Sequence, residues 1–327
     1  MVTVALVGVS TGFGKTVLNT FLRLNSQNPN PHHLVVISRS PNPDLSAQGI
    51  DVRPVDYSNH AQLVAALQGV HTVLPLIGGG GAIIRDTQLA LLRAAKEAEC
   101  TRFAPSEYAG QGYDGVDLYA GKAEVFEAVK ASGLEFTRFN CGIFMSILAT
   151  GTPKGMTKVG EMEGCKTGEE EALAGLRPWN YVINMLAGTV DYPEDGTAPF
   201  VLTDMRDVAT FVYHALSLSS PWPQDLGMRG DVKSFAELVA IAERVQGRTW
   251  LKHSTPMAEL EKTPSDPGAA FYNQTRLVLA NGWGMVGDEL NTAFPDFKPV
   301  DADTFVEKWW SGVELGKPSW GEMHNPL

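Results

Sequence analysis

Residues 3–22, TVALVGVSTGFGKTVLNTFL, take a run of apolar and β-branched residues directly into a helical pattern through a turn with glycines at 8, 12 and 14. A strand that turns so abruptly into a helix needs residues tolerant of positive φ, and the N–H groups left open at the helix start then favour an anion. Two kinds of phosphate turn compete for this stretch. A triphosphate-gripping loop reads Gly, four residues, then Gly-Lys-Ser/Thr; counting back from Gly14, Lys15 and Thr16 puts its first glycine at position 9, which is Val9. Gly8 misses by one residue, and successive N–H groups wrap a phosphate only at a fixed curvature. The spacing GxxxGxG, between strand and helix, instead suits a turn under a dinucleotide pyrophosphate, with Thr11, Gly12, Phe13 and Gly14 offering backbone amides. Lys15 then starts the helix, facing solvent or phosphate.

Short β-branched runs alternate with helical patterns through the first half of the chain, the mark of βαβ units. Strands are expected at TVALVG, HLVVISR, DVRPVDY, TVLPLI, TRFAPSE and LEFTRFN, with helices near 14–24, 59–68, 82–98 and 118–132. In the first helix Val17, Leu18, Phe21 and Leu22 make a stripe that packs on the sheet. The expected fold is α/β: a Rossmann-type doubly wound parallel sheet over 1–150, completed by about 198–220, with a smaller C-terminal substrate lobe from 151–197 and 221–327. Asp204 or Asp207 is placed to cap the helix of DMRDVATFVYHALS. SFAELVAIAERVQG reads as a helix capped by Ser234 and closed by Gly247. Residues 150–170, rich in Gly, Lys and Glu, read as a lid-like loop.

No window has the roughly 18 consecutive apolar residues of a membrane span, and MVTVALVGVS lacks the basic flank of a signal peptide. A net charge of −11 with no basic stripe argues against nucleic acid and for a small-molecule substrate. Cys100, Cys141 and Cys165 fit no metal spacing and read as reduced thiols of a cytoplasmic protein, Cys100 as buried apolar filler. A monomer or homodimer is expected.

The second strand ends in Ser38, Arg39 and Ser40, where an NAD-specific protein places a carboxylate for the ribose 2′-OH. The first acid, Asp44, lies beyond the turn; Arg39 suits a 2′-phosphate, so NADP(H) is the expected cofactor. A solvated loop arginine is the plainer alternative. Further on, Leu118, Val125, Phe126 and Val129 make an apolar helix face that includes Lys122. An ammonium facing a core is costly unless partnered, so Lys122 asks for an oxygen ligand on a cofactor or substrate. Tyr119 precedes it by three residues, a candidate for proton transfer, but the Tyr-x-x-x-Lys pair of short-chain reductases is absent because four residues on from Tyr119 stands Ala123.

FAPSEYAG, a lysine on the next helix, and then GLEFTRFNCGIFMS resemble the isoflavone reductase-like, or NmrA-like, branch of the atypical short-chain dehydrogenases/reductases. PVDYSNHAQLVAALQGVHTVLPLIGGG is similar to the family's third strand, helix and fourth strand. The resemblance implies an NADPH-dependent reductase acting on an aromatic or conjugated carbonyl-type substrate. It places Gly8, Ser10, Thr11, Gly12, Phe13 and Gly14 on the pyrophosphate, Arg39 and Ser40 on the 2′-phosphate, and Ile77 and Gly78 beside the adenosine. Pro105, Ser106, Asn140, Cys141 and Phe144 lie near the nicotinamide, and Lys122 is general acid/base or anchor of the nicotinamide ribose.

The chain departs from the family in two places. The middle glycine of the turn comes one residue late, and the family's Phe after Pro-Ser-Glu is Tyr108, whose hydroxyl reaches substrate or whose ring merely packs. Trp179 and Tyr181, with Met185 at helical spacing, form either an aromatic substrate wall or ordinary core; His214 reads as a packed or exposed histidine. The rival function is an NADP(H)-sensing regulator without turnover, against which Lys122 in an otherwise intact Pro-Ser-Glu-aromatic setting argues.

Overall fold

The computed structural model describes residues 1–10, 12–78, 81–112, 114–155, 169–219, 221–262 and 264–320. The chain forms two compact units: Met1–Tyr108, Leu118–Asn140 and Ala209–Gly227 make the first, and Ala109–Asp117, Cys141–Val208 and Met228–Leu327 the second. Among the described residues no helix is long and apolar enough to cross a membrane.

The first unit is built on strands β1 (Thr3–Val7), β2 (His33–Ser38), β3 (Asp51–Pro54), β4 (Thr72–Pro75), β5 (Arg102–Phe103) and β6 (Glu135–Phe136). Helices α1 (Gly12–Gln27), α2 (Pro43–Ala47), α3 (His60–Leu67), α4 (Gly81–Glu97) and α5 (Ala120–Lys130) lie between them. The strands pair in parallel in the order β3-β2-β1-β4-β5-β6, the doubly wound arrangement in which strand order reverses beside β1. Val4 to Val7 are buried, as a strand covered by helices on both faces must be. In α1, Val17, Leu18 and Phe21 are buried and Leu22 half-buried, so the expected stripe does face the sheet. Cys100 is buried, and burial pushes its thiol up to about 11, which keeps it protonated and inert.

Three expectations change. The strand foreseen over 134–140 divides at Thr137: β6 joins the large sheet, while β7 (Arg138–Asn140) pairs in parallel with the strand Asp225–Gly227. Arg138 gives its N–H to the Gln224 carbonyl at 2.8 Å, which takes the chain out of the first ladder. The strand Pro199–Thr203 does not complete the six-stranded sheet; it pairs with Asp231–Ser234 and Ile143–Phe144 in the second unit, and the chain rejoins the first unit only from Ala209. Leu118 is exposed because the 3-10 turn Asp117–Tyr119 precedes α5, so the buried stripe of that helix is Val125, Phe126 and Val129.

The second unit takes in Ala109–Asp117 and Cys141–Val208 besides everything from Met228 on, so it is not the smaller of the two. Its core gathers Trp310, Phe200, Phe235, Tyr181 and Met185, with the Trp310 indole N–H donating to the Leu148 carbonyl at 2.7 Å. The helix Phe235–Gln246 carries the full capping box of Ser234 and Glu237 and ends on Gly247 at φ 65°. Asp204 accepts the Arg206 N–H at 2.8 Å at the start of the helix Met205–Ala215, whereas Asp207 accepts the Val300 N–H at 2.7 Å instead. Most of the expected lid, including Cys165, lies outside the described residues.

Burial pushes the Asp207 carboxyl up to about 7, against the Val300 hydrogen bond and with the Asp204 charge adding to the rise. A raised carboxyl pKa means that the folded chain binds a proton the unfolded chain releases, so its contribution is complete below the unfolded value of 3.8 and is lost as pH rises through about 7. Asp207→Asn keeps an oxygen for Val300 and carries no charge; urea titrations at pH 5 and pH 8 should find its stability relative to wild type greater at the higher pH than at the lower.

Candidate functional site

The C-terminal ends of the central strands carry most of the residues singled out by the sequence, as expected for an open parallel sheet. Gly8 sits at φ 89°, and a Cβ there would stand 2.7 Å from the Leu76 carbonyl oxygen at the end of β4. A Cβ on Gly14 would stand 2.1 Å from the Gly8 oxygen, so only glycine lets α1 start directly over the end of β1. The helix runs for 16 residues and aims its first N–H groups and positive dipole end over the sheet. Ser10 and Lys15 are exposed and Phe13 is half-buried; Thr11 lies outside the described residues.

At the end of β2 the Ser38 hydroxyl donates to the Ser40 carbonyl at 2.6 Å, and Arg39 and Ser40 are exposed. Arg39 makes no ion pair among the described residues. Tyr57, the neighbour whose titration it affects, is pushed up to about 12 by burial and stays neutral, donating to the Ile37 carbonyl at 3.1 Å. An uncompensated guanidinium at this strand end is a fitting partner for a phosphate.

The segment Pro105–Tyr108 is clamped from several sides. The Ser106 hydroxyl lies 3.2 Å from both the N–H and the carbonyl of Ile77, accepting from the first and within donating reach of the second. This ties the loop to half-buried Ile77, beside exposed Gly78. The Ser106 N–H donates to Gln88 Oε1 at 2.6 Å. Gln88 is fully buried on the face of α4 that also buries Ile84, Leu91 and Leu92, and its Nε2 has no hydrogen-bond partner among the described residues. Sequence reading passed over Gln88; the one signal was a lone amide inside an apolar stripe. Tyr108 is held at φ 40°, a left-handed conformation uncommon for a bulky residue. Its N–H donates to Phe139, and its ring lies 4.8 Å edge-on from Phe13 and 6.2 Å stacked from Phe139. The glycine turn and the Pro-Ser-Glu-Tyr segment are thereby brought together.

Lys122 is half-buried on α5; its Nζ donates to the Glu107 carbonyl at 2.5 Å and lies 5.0 Å from the Tyr119 ring centre. The oxygen partner its position demanded is a backbone carbonyl of that same segment. Beyond it, buried Asn140 gives its Nδ2 to Asp225 at 3.0 Å, and Arg138 gives its Nε to the same oxygen at 2.6 Å. Asp225 was not legible in the sequence, because it meets Arg138 across 87 residues of chain.

The remaining residues belong to the second unit. Cys141 is buried there, donating its N–H to Ala109 at 3.0 Å and accepting from the Thr203 hydroxyl at 2.9 Å; Phe144 is half-buried and pairs with Thr203. Trp179 and Tyr181 have ring centres 4.5 Å apart, and Trp179 stacks on Phe271 at 6.2 Å. Tyr181 is core, and Trp179 is half-buried. The helical spacing read into this stretch fails: it folds into turns around the two-residue strand Ile183–Asn184, antiparallel to Thr189–Pro193.

Known proteins resemble this chain in sequence and in fold. The profile of the NmrA-like family matches residues 3–287. The oxidoreductase BOA1 of Botryotinia fuckeliana is 29% identical over 76% of this chain and 78% of its own length. The phenylcoumaran benzylic ether reductase IRL1 of Ginkgo biloba is 25% identical over 81% and 83%. The structure of AtPrR2 with NADP+ and (+)-pinoresinol shares the fold, with a TM-score of 0.71 at 20% identity over 94% of this chain and 98% of that one.

The Gly14 contact makes one consequence measurable. Gly14→Ala forces a methyl group onto backbone atoms that cannot swing aside, and overpacking of that kind costs about 1–3 kcal/mol; urea denaturation of the variant should show a loss in that range, and an unchanged midpoint would mean that α1 does not start against Gly8.

Proposed function

The chain belongs to the NmrA-like family, and from that premise we propose that it is an NADPH-dependent reductase that passes hydride to a small aromatic or conjugated carbonyl-type substrate. The observation that carries this reading is the Lys122 ammonium, bonded at 2.5 Å to the Glu107 carbonyl in the segment that packs on the glycine turn. A sensor that only binds dinucleotide has no chemical use for a lysine held in this setting.

Gly8, Gly12, Phe13 and Gly14 would take the pyrophosphate and Arg39 the 2′-phosphate; Ile77 and Gly78 would line the adenosine side, and Ser106 and Asn140 the nicotinamide side. The bound cofactor supplies the hydride. When hydride reaches an electrophilic carbon, negative charge collects on the attached oxygen. Lys122 answers that charge with a fixed positive one, its Nζ oriented by the Glu107 carbonyl and lying 5.0 Å from the Tyr119 ring centre. The ammonium would pass a proton to the product oxygen and regain it from solvent. Fixing the ammonium before substrate arrives is what makes it effective, since no reorganisation is then needed during the reaction. Tyr108, whose ring packs on Phe13 of the glycine turn, is the aromatic residue proposed to meet the substrate.

The cofactor assignment is tested by binding: Arg39→Ala should weaken NADPH by about tenfold to a hundredfold, the loss of one charge-assisted hydrogen bond, and leave NADH nearly unchanged. Catalysis is tested by following NADPH absorbance against phenylpropanoid, quinone and enone compounds. Lys122→Ala should lower turnover by about 10²–10⁴-fold, the usual worth of a positioned acid or base, while NADPH still binds. Tight NADPH binding with no turnover on any compound would favour the sensor instead.

A further inference from the structure

Asn140, placed above on the nicotinamide side, is bonded to Asp225, a residue to which the reaction above gives no role. In the parallel pairing of β7 with Asp225–Gly227, Asp225 stands opposite Arg138, and Asn140 follows two residues later on the same face. Both side chains converge on Asp225 Oδ1, Arg138 Nε at 2.6 Å and Asn140 Nδ2 at 3.0 Å. Burial alone would raise the Asp225 pKa, but the hydrogen bonds and charge of Arg138, with Gln224 and Asn140, bring it below the usual carboxylate range, so it remains an anion at neutral pH. An ionised carboxylate only accepts hydrogen bonds, so the amide of Asn140 has a single allowed orientation: nitrogen toward Asp225, oxygen away from it. The residue as a whole is 3% exposed, and the hydrogen bond of its side chain is the one that Nδ2 gives to Asp225.

An acceptor whose direction is fixed in advance gives up little conformational freedom on pairing, so a ligand that brings a donor to it gains from that pre-organisation. The fold says which part of a ligand arrives there. Asn140 ends β7, which follows β6 in the chain after Thr137 but pairs with Asp225–Gly227, and its neighbour Phe139 stacks on Tyr108, whose ring meets Phe13 of the glycine turn. A dinucleotide lies across the switch point with its pyrophosphate on α1 and its adenosine ribose at the end of β2, so its other half extends toward the β4–β6 side.

We propose that Asp225 is a positioning residue: by holding the Asn140 amide it presents Oδ1 as an acceptor for a donor on the nicotinamide half of the cofactor, either the carboxamide N–H or a ribose hydroxyl. This rests on the NADP(H) reading above.

The test is a double-mutant cycle on affinity, with 2′,5′-ADP as the fragment that lacks the nicotinamide half. NADPH binding followed by its fluorescence should weaken about tenfold in both Asn140→Ala and Asp225→Asn, while calorimetric 2′,5′-ADP affinity stays within about twofold. The double variant should be no weaker than Asn140→Ala alone, because Asp225 acts only through that amide. Additive losses, an NADPH affinity that does not change, or equal losses for 2′,5′-ADP would each overturn the proposal. Should Asp225→Asn not fold, Asp225→Glu keeps a charge for Arg138 but displaces the carboxylate, and should give the same split between NADPH and 2′,5′-ADP. The 3-acetylpyridine analogue of NADPH, which has no carboxamide N–H, separates the two donors. If the donor is the amide, Asn140→Ala costs that analogue nothing; if it is a ribose hydroxyl, the analogue loses as much as NADPH. A wild-type protein that binds neither NADPH nor 2′,5′-ADP would sink the cofactor reading itself, and this one with it.

Discussion

The first unit depends on a contact in which no side chain takes part: the Gly8 carbonyl lies where a Cβ on Gly14 would be. That approach lets a helix begin within a few residues of the end of a buried strand, so the open N–H groups of α1 lie above the sheet. Gly8 in turn lies against the Leu76 carbonyl, which couples the turn to the end of β4, the strand across the reversal from β2. Close backbone packing at the switch point therefore fixes both where an anion can bind and which strands flank it. A bulkier turn would lift α1 from the sheet and move its dipole away from the same point.

A second layer of fixing surrounds the segment Pro105–Tyr108, and it is polar. Ser106 is held to Ile77 and Gln88, Lys122 to the Glu107 carbonyl, and Tyr108 to the Phe139 carbonyl. A left-handed tyrosine costs on the order of 1–3 kcal/mol, and such residues persist only where their surroundings over-determine them. Here the surroundings are the Phe139 hydrogen bond and two aromatic rings. The strain has a local use: it turns the chain so that the Glu107 carbonyl meets Lys122 and the Tyr108 ring meets Phe13 within two consecutive residues.

What could be read in advance follows the range of the interactions. The strands up to β4 and helices α1, α3 and α4 were legible because each carries its own periodicity, and the glycine turn because backbone crowding leaves a mark at single positions; α2, five residues long and begun by a proline, is too short to show a period and was read as loop. Lys122 stood out as a charge inside an apolar stripe, and Gln88 bore the same mark without being taken up. The break at Thr137 was invisible, since what ends the first ladder is the Gln224 carbonyl far along the chain. Leu118 was misplaced because a 3-10 turn and the first turn of an α-helix share their spacing over three residues. Around Trp179, apolar residues at helical intervals belong to a core drawn from several segments, where burial needs no helix. Asp225 and its link to Asn140 had no local mark, because a single acid in a three-residue strand is not distinctive.

The two sides of the sheet are secured by different means. On the β1–β3 side, strands of four to six residues hold their register through ladders and buried aliphatic side chains. On the other side β5 and β6 have two residues each, and β7, paired apart with Asp225–Gly227, has three, too few for the ladder to specify register alone. Buried charge takes over there. Arg102 pairs with Glu135 at 2.9 Å, with its guanidinium 4.4 Å from the Trp222 ring centre, and the Trp222 N–H donates to the same Glu135 oxygen at 2.7 Å. Arg138 and Asp225 repeat the device one strand further out. Removing one partner of a buried pair costs about 3–5 kcal/mol, whereas apolar replacement of both is often neutral, so such pairs contribute more to specificity than to net stability. Specificity is the scarce quantity where strands are this short. The same carboxylate that answers Arg138 sets the direction of the Asn140 amide.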